Sequence, residues 1–253
     1  MNIKRITQLI FALILIFNPT FLSANEDINY VVSYKWGLIQ KDAGDARITM
    51  QPNGDGYTLK LYGKTRPWAD RIYQLRDTLI SNVNHEFHPL TYTRIAHEKG
   101  KYARDDIQFN YKGEEVEAKA LRAREKKDGN IEYSEKDLSG HGKVFDMLSV
   151  FFYLRNVDYS KLKEGDSLKT QVFSGKEVED VMIRYKGKEE VKLDDKSRKE
   201  AYHIVFNFTS KGKRKSSEDI ECWISTDSRH VPYLIVGSLP VGQIRCRLVL
   251  DKH

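Results

Sequence analysis

Alternation of apolar and polar residues is the main pattern of the chain after residue 24. Apolar side chains recur at every second position around residues 30–38, 57–61, 107–111, 181–185 and 202–208. A period of two is typical of a strand that buries one face, because successive side chains point to opposite sides of a sheet. Three further apolar runs, IECWIS, VPYLIVGS and GQIRCRLVL, have short connections and predict an antiparallel meander at the C-terminal end.

One segment departs from this period. In KVFDMLSVFFYLRN the apolar residues recur at helical spacing and predict a helix over residues 143–156, the longest of the domain. Its apolar stripe is broad, so we expect it to pack on the concave face of the sheet through Leu148 and Phe151. The segment RPWADRIY predicts a second, short helix or turn, in which Pro67 suits the first helical position.

Predicted strands far outnumber predicted helices, which sets the fold class. A single sheet of this size must curl, because strand twist accumulates and exposed edges favour aggregation. We therefore predict a mainly β fold, with one large, strongly curved antiparallel sheet or incomplete barrel and one main buried helix. Neither an internal repeat nor a Pro/Gly/Ser-rich linker divides residues 25–253, so we expect a single domain.

The first 24 residues have the three parts of a secretory signal peptide. Lys4 and Arg5 give a positive start, an apolar run follows over residues 6–17, and small residues end the segment at Ala24. The apolar run is shorter than the roughly 18–20 residues that a spanning helix needs. We expect cleavage near Ala24 and a periplasmic or secreted protein with no stable membrane span. The alternative is an uncleaved membrane anchor.

The distribution of charge and the positions of the cysteines argue against two classes of protein, nucleic-acid-binding proteins and lipoproteins. The chain carries 42 Lys and Arg against 36 Asp and Glu, a net charge of +6. These residues are interspersed, as in KGEEVEAKALRAREKKDGN, and form no basic stripe of the kind that binds nucleic acid. We therefore expect no nucleic-acid partner. No cysteine lies near the predicted cleavage site, so the protein is not expected to be a lipoprotein.

The sequence contains no motif with a recognisable catalytic chemistry. His85, His88 and His97 lack the spacing of a zinc site, and no nucleophile elbow is present. The neighbouring carboxylates Asp105 and Asp106 would face opposite sides of a strand and are interpreted as solvated charges. We predict no catalytic residue, no metal site and no cofactor.

The two cysteines are both expected to face the core. Cys222 is in phase with Ile220 and Ile224, and Cys246 is in phase with Ile244 and Leu248. A sequential meander places one strand between them, which separates their Cα atoms by about two strand spacings, roughly 9–10 Å. A disulfide needs a Cα separation of about 4.4–6.8 Å. Geometry thus favours two buried free thiols, although export would permit a disulfide.

Several segments in one order resemble a known family. They are VVSYKWGLIQKDAGDARI, GKTRPWADRIYQLRDTLIS, PLTYTRIAHEKGKY, VFDMLSVFFYLRN with LKEGD, and CWISTDSRHVPYLIVGSL. Their order is similar to the bacterial domain-of-unknown-function family 3108, whose members are exported proteins of Gram-negative bacteria. The resemblance covers nearly the whole chain after residue 24. It implies a curved-sheet fold similar to that of the periplasmic lipoprotein carriers, and it implies no activity, because fold does not fix function.

An aromatic face is the one feature that could serve a ligand. A curved sheet lined by rings makes a concave apolar pocket, although such rings also commonly fill a core. We predict a non-enzymatic exported protein that binds a lipid-like apolar or amphipathic molecule, or an envelope protein. The alternatives are an envelope scaffold without a cavity, or a hydrolase of envelope or carbohydrate substrates. The candidate ligand-binding residues are Tyr34, Trp36, Trp68, Tyr73 and Phe151, with Asp77 as a nearby polar group.

Overall fold

The computed structural model describes residues 25–54, 56–210 and 217–250. The predicted signal peptide, residues 1–24, lies outside the described residues. Within the described part, the chain forms two short α-helices, α1 (Pro67–Tyr73) and α2 (Ser149–Arg155), and a 3₁₀ turn at Tyr159–Lys161. The rest is dominated by fifteen strands of one sheet: β1 (Glu26–Trp36), β2 (Ile39–Pro52), β3 (Gly56–Thr65), β4 (Leu75–Asn84), β5 (Pro89–Glu98), β6 (Lys101–Lys112), β7 (Glu115–Glu125), β8 (Ile131–His141), β9 (Val144–Asp146), β10 (Ser167–Phe173), β11 (Val178–Lys192), β12 (Arg198–Ser210), β13 (Ile220–Ser225), β14 (Pro232–Ser238) and β15 (Gln243–Leu248).

The strands are ordered in two arms that meet at the first and last strands. The order across the sheet runs from β8 back to β1, then from β15 back to β9. Neighbouring strands are antiparallel except for β9 and β10, which are parallel. The outermost strands β8 and β9 follow each other in the chain, and the His141 backbone N–H donates to Gln171 Oε1 of β10 at 3.1 Å. The predicted mainly β, curved-sheet fold is confirmed, and the sheet is nearly closed into a barrel.

Local sequence explains why these segments form strands. In β7 the apolar residues Val116, Ala118 and Ala120 are buried, while the charged residues between them are exposed. This alternation fixes which face of the strand lies inside. The β5–β6 hairpin turns through two residues with positive φ, Lys99 at 51° and Gly100 at 75°. Positive φ at both positions is typical of the two-residue turn whose twist matches that of the strands.

The predicted helix over residues 143–156 is shorter than expected. Strand β9 occupies its first part, and α2 has seven residues, the same length as α1, so it is not the longest helix. Asp146 explains the late start. Its Oδ1 accepts hydrogen bonds from the backbone N–H groups of Leu148 at 2.7 Å and Ser149 at 2.8 Å, and Ser149 Oγ accepts from the Asp146 N–H at 2.9 Å. These hydrogen bonds hold residues 146–149 in a turn, and the helix begins at Ser149 with Leu148 as its N-cap residue.

In α2 the buried aromatic residue is Phe152 and not the predicted Phe151. Leu148 is buried as expected, but Phe152 lies in the core and Phe151 is half-buried. The ring of Phe152 stacks on Phe87 with centroids 5.7 Å apart, and Phe109 stacks on Phe173 at 5.6 Å. Helix α2 therefore fills part of the barrel interior, as the broad apolar stripe predicts.

Three other predictions from the sequence are confirmed. Helix α1 begins at Pro67, and β13, β14 and β15 form the antiparallel meander. Both cysteines are free thiols, and the register places Ile235 of β14 between Cys222 and Cys246. Strand β14 therefore separates the two cysteines, which face the same side of the sheet. Burial raises the pKa of both thiols, that of Cys246 to about 11.

Candidate ligand-binding site

One end of the barrel interior is plugged by α2. Its last residue, Arg155, is 1% exposed and donates from Nη1 and Nη2 to the Glu26 carboxylate at 2.7 and 2.9 Å. The same guanidinium donates to the backbone carbonyls of Arg229 at 2.8 Å and His230 at 3.3 Å. The bidentate pair joins the helix end to the start of β1. Such a pair is stable inside a protein when each guanidinium nitrogen has a hydrogen-bond partner, as here.

The opposite end of the interior is more exposed to solvent, and we call it the open end. There the side chains that continue the interior face of each strand pack against the core but remain partly exposed. This end carries α1 and the turns of the β1–β2, β5–β6 and β14–β15 hairpins. The partly exposed interior side chains are Val32, Ala46, Leu61, Leu79, Phe206, Phe208, Ile235, Ile244 and Cys246.

A single row of the register makes one wall of this end amphipathic. Six residues lie directly opposite one another on successive strands from β2 to β7, and all point inward. The first three are apolar and the last three are charged. We call this set the amphipathic row: Ile48, Leu61, Leu79, Arg94, Asp105 and Arg122.

The charged half of the row is a compact network. Arg94 Nη2 donates to Asp77 Oδ2 at 2.8 Å and also to Glu98. Asp105, which is 2% exposed, accepts from Arg122 Nε at 2.9 Å and from Arg124 Nη2 at 2.5 and 2.7 Å. The side chains of Arg94 and Arg122 remain 29% and 22% exposed. Their guanidinium groups are therefore partly open to solvent, while the carboxylate of Asp105 is not.

Two buried polar atoms beside this network lack a hydrogen-bond partner among the described residues. They are Asp77 Oδ1 and the hydroxyl oxygen of Tyr92. Buried polar groups in folded proteins are nearly always satisfied, so each such atom calls for a partner. Burial raises the pKa of the Asp77 carboxyl above its ordinary range, an effect that the hydrogen bond from Arg94 opposes. Both atoms therefore leave hydrogen-bonding capacity unused within the described residues.

The five candidate residues from the sequence do not form one wall. Tyr34 donates its hydroxyl to the Val241 carbonyl at 2.9 Å, and Trp68 Nε1 donates to the Asp42 carbonyl at 2.7 Å. Trp36 is 57% exposed at the end of β1, and Phe151 is half-buried on α2.

Tyr73 is the one candidate that reaches the charged network. Its hydroxyl donates to Glu98 Oε2 at 2.5 Å, and Glu98 in turn accepts from Arg94. This hydrogen bond to Glu98 raises the pKa of Tyr73 to about 12.

Sequence reasoning missed the charged half of the row. The interpretation of Asp105 as a solvated charge is wrong, because Asp105 is in phase with the core residues Ile107 and Phe109 and points inward, whereas Asp106 points outward. The same signal marks Arg94, which is in phase with Tyr92 and Ala96. The sequence signal for the network is a charged residue that is in phase with the buried apolar residues of its strand.

The described residues contain neither a metal-binding cluster nor a membrane-spanning helix. No group of three or more His, Cys, Asp or Glu side chains in residues 25–54, 56–210 and 217–250 is placed to hold a metal ion. Neither α1 nor α2 is long and apolar enough to cross a membrane, and no other described helix is.

Comparisons with known proteins agree with the fold and name no ligand. A family model described as "Protein of unknown function (DUF3108)" matches residues 29–249. No curated protein matches the chain in sequence. A crystal structure of a beta-barrel-like protein of the domain of unknown function DUF1849 from Brucella abortus is similar, with a TM-score of 0.59 and 12% identity. The match covers 89% of this chain and 96% of that one. At this identity the likeness concerns the fold alone.

Proposed function

Because this chain belongs to the DUF3108 family of proteins of unknown function, no activity comes with the family, and we propose from the geometry that it binds an amphipathic molecule with an acidic head group. The observation that carries the proposal is the amphipathic row. Apolar and charged side chains lie in one register across six strands, and four of them, Leu61, Leu79, Arg94 and Arg122, are partly exposed. A molecule lying along this row would meet aliphatic side chains first and guanidinium groups next.

The apolar half of the row would supply most of the affinity. Leu61 and Leu79 are partly exposed on the interior face, so a hydrocarbon chain would replace water there. A contact that removes about 300 Å² of apolar surface from water gains about 7 kcal/mol at about 25 cal/mol per Å². Ordering of the ligand and of the lining side chains offsets part of this gain, which leaves binding in the micromolar range.

The charged half would select the head group. Arg122 uses Nε in its pair with Asp105, and its terminal nitrogens make no hydrogen bond within the described residues. Arg94 keeps a partly exposed guanidinium, and a carboxylate or phosphate accepts two parallel hydrogen bonds from such a group. Tyr92 adds a buried hydroxyl with no partner among the described residues. These donors favour an acidic head group over a neutral one.

Titration of the protein with two amphiphiles that have alkyl chains of equal length tests the proposal. Laurate carries a carboxylate, and dodecyl maltoside carries a neutral sugar. By isothermal titration calorimetry we expect saturable binding of laurate, and we expect Arg94→Gln to weaken it by about tenfold or more, the usual effect of losing a charged hydrogen bond. Arg104→Gln is the matched control, since Arg104 lies on the outer face of β6 and pairs with Asp106. Circular dichroism checks that each variant is folded.

Three outcomes would contradict the proposal. Absence of binding by either probe would favour a scaffold with no ligand. Equal binding of both probes, unchanged by Arg94→Gln, would leave an apolar site without head-group selection. Weakening by Arg104→Gln to the same extent as by Arg94→Gln would place the charge effect outside the barrel.

We also propose that the protein works outside the cytoplasm. The support is the order of charged, apolar and small residues that ends at Ala24. N-terminal sequencing of protein from a periplasmic or culture fraction should give a start near Asn25. Recovery of the chain with Met1 in the membrane fraction would contradict export as a cleaved protein.

A further inference from the structure

The rim of the open end carries an unusual density of exposed apolar side chains. The β1–β2 hairpin presents Trp36, Leu38 and Ile39, of which Leu38 is fully exposed, and the neighbouring β14–β15 hairpin presents Leu239 and Val241. Large aliphatic residues at the tips of hairpins gain nothing for the fold, because nothing in the described protein covers them. We call these five residues the apolar rim. Contiguous exposed apolar surface of this kind marks an interaction site.

The two hairpins are held side by side, so the rim is one surface. Strands β1 and β15 pair up to Lys35 and Gln243, next to the two turns. Tyr34 donates its hydroxyl to the Val241 carbonyl at 2.9 Å across the hairpins. At Gly242 a Cβ atom would come within 2.4 Å of the Lys35 carbonyl oxygen, so the turns approach each other as closely as glycine allows.

Two lysines without an ion-pair partner among the described residues lie beside the rim. The nearby carboxylates are already paired, Asp42 with Arg66 and Arg247, and Asp45 with Arg66. By contrast, Lys35 and Lys41 form no ion pair within the described residues, although Lys41 lies over the ring of Trp68 at 4.2 Å. The end of the barrel that exposes aliphatic tips therefore also exposes unpaired ammonium groups.

We propose that the apolar rim docks on the surface of a lipid bilayer that contains acidic lipids. Protruding aliphatic side chains enter the boundary between head groups and acyl chains, tryptophan is favoured at that depth, and lysines next to it attract acidic head groups. A protein partner would be served better by a flat, shape-complementary face than by separate hairpin tips. Docking in this orientation turns the open end of the barrel, with its interior row, toward the membrane.

The experiment is vesicle co-sedimentation of the chain without residues 1–24. The vesicles are phosphatidylcholine alone, or phosphatidylcholine with phosphatidylglycerol. We expect binding to the acidic vesicles that weakens as salt is raised. The double variant Leu38→Ser/Val241→Ser should reduce the bound fraction by about tenfold, because two inserted side chains are lost. Leu121→Ser is the matched control, since Leu121 is an exposed leucine on the outer face of β7, away from the rim.

A second variant separates the electrostatic part of the proposal from the apolar part. Lys35→Gln/Lys41→Gln should remove the preference for acidic vesicles and leave any residual binding independent of salt. The rim variant Leu38→Ser/Val241→Ser should leave laurate binding unchanged, because neither residue belongs to the amphipathic row, so failure of the ligand proposal and failure of the membrane proposal give different results.

The proposal is overturned if the protein sediments with neither type of vesicle, or if the rim variant binds as well as the Leu121→Ser control. It is also overturned if size-exclusion chromatography shows a dimer that the rim variant abolishes while vesicle binding is absent, because the rim would then be a contact between copies of the chain.

Discussion

The arginine–carboxylate pairs at the two ends of the barrel differ in burial and in how completely their polar atoms are hydrogen-bonded. At the plugged end, the Arg155–Glu26 pair is almost fully buried and Arg155 also donates to two backbone carbonyls. At the open end, the Arg94–Asp77 pair keeps a side-chain exposure of 29% and 12%, and Asp77 Oδ1 lacks a partner among the described residues. A saturated network holds a structure together, whereas an unsaturated one beside open space is a place for a ligand.

The largest effect is expected from breaking the saturated pair. Arg155→Met would leave the Glu26 carboxylate buried without a counter-charge, which costs about 3–5 kcal/mol of unfolding free energy. Urea unfolding followed by circular dichroism measures this loss. Arg198→Met is the control, since the Arg198–Glu190 pair is more than half exposed and should contribute less than about 1 kcal/mol. Equal losses of unfolding free energy in the two variants would mean that burial of the Arg155–Glu26 pair does not contribute to stability.

The second largest effect is expected in α2, the helix that fills the plugged end. Phe152→Ala removes a fully buried ring and should cost about 3–5 kcal/mol, while Phe151→Ala removes a half-buried one and should cost clearly less. Thermal unfolding of the two variants side by side measures the difference. If Phe151→Ala proved the more damaging, the orientation of α2 in the barrel would be wrong.

A smaller effect, dependent on pH, should distinguish the open end. Since burial raises the pKa of Asp77, its ionised form destabilises the fold, and this penalty is absent below the ordinary carboxyl range and grows as pH rises through the raised pKa. Asp77→Asn should therefore gain stability relative to the wild type between about pH 3 and about pH 7. Urea unfolding at both pH values measures the change.

Asp45 provides a control of opposite sign. The hydrogen bond from Arg66 lowers the pKa of Asp45, so its carboxylate stabilises the fold at neutral pH and loses this contribution as pH falls through the lowered pKa. Asp45→Asn should be destabilised at about pH 7 and match the wild type at strongly acid pH. The same trend in both variants would contradict an unfavourable carboxylate at Asp77.

The smallest expected difference concerns the two thiols. Cys246 is half-buried toward the open end and Cys222 is fully buried, so a thiol reagent added to native protein should modify Cys246 first. After denaturation without a reductant, two equivalents should react. Mass spectrometry of the modified protein identifies the site. Reaction that requires prior reduction would show a disulfide, and faster reaction of Cys222 would reverse the assignment of the ends.

Features that depend on nearby residues could be predicted from the sequence, and features that depend on register could not. Alternation in segments such as β7 identifies strands and their buried faces, and Pro67 marks the start of α1. The amphipathic row joins residues from six strands, so it exists only once the register between them is set. The late start of α2 depends on the side chain of Asp146, which holds a turn before the helix, and helical spacing alone does not reveal that turn.

The meeting of β1 with β15 has a consequence for how the chain folds. Neighbours in the described sheet are consecutive strands in every pair but one, in which Tyr30 of β1 lies opposite Leu248 of β15. Pairing at this seam closes a loop of nearly the whole domain, and such non-local contacts slow folding. The seam also brings the two ends of the domain together, with the Val249 N–H donating to the Asn29 carbonyl at 2.8 Å. A circular permutant that joins these ends and opens between β8 and β9 would convert the seam into a local hairpin, and all neighbouring strands of the sheet would then be consecutive in the chain.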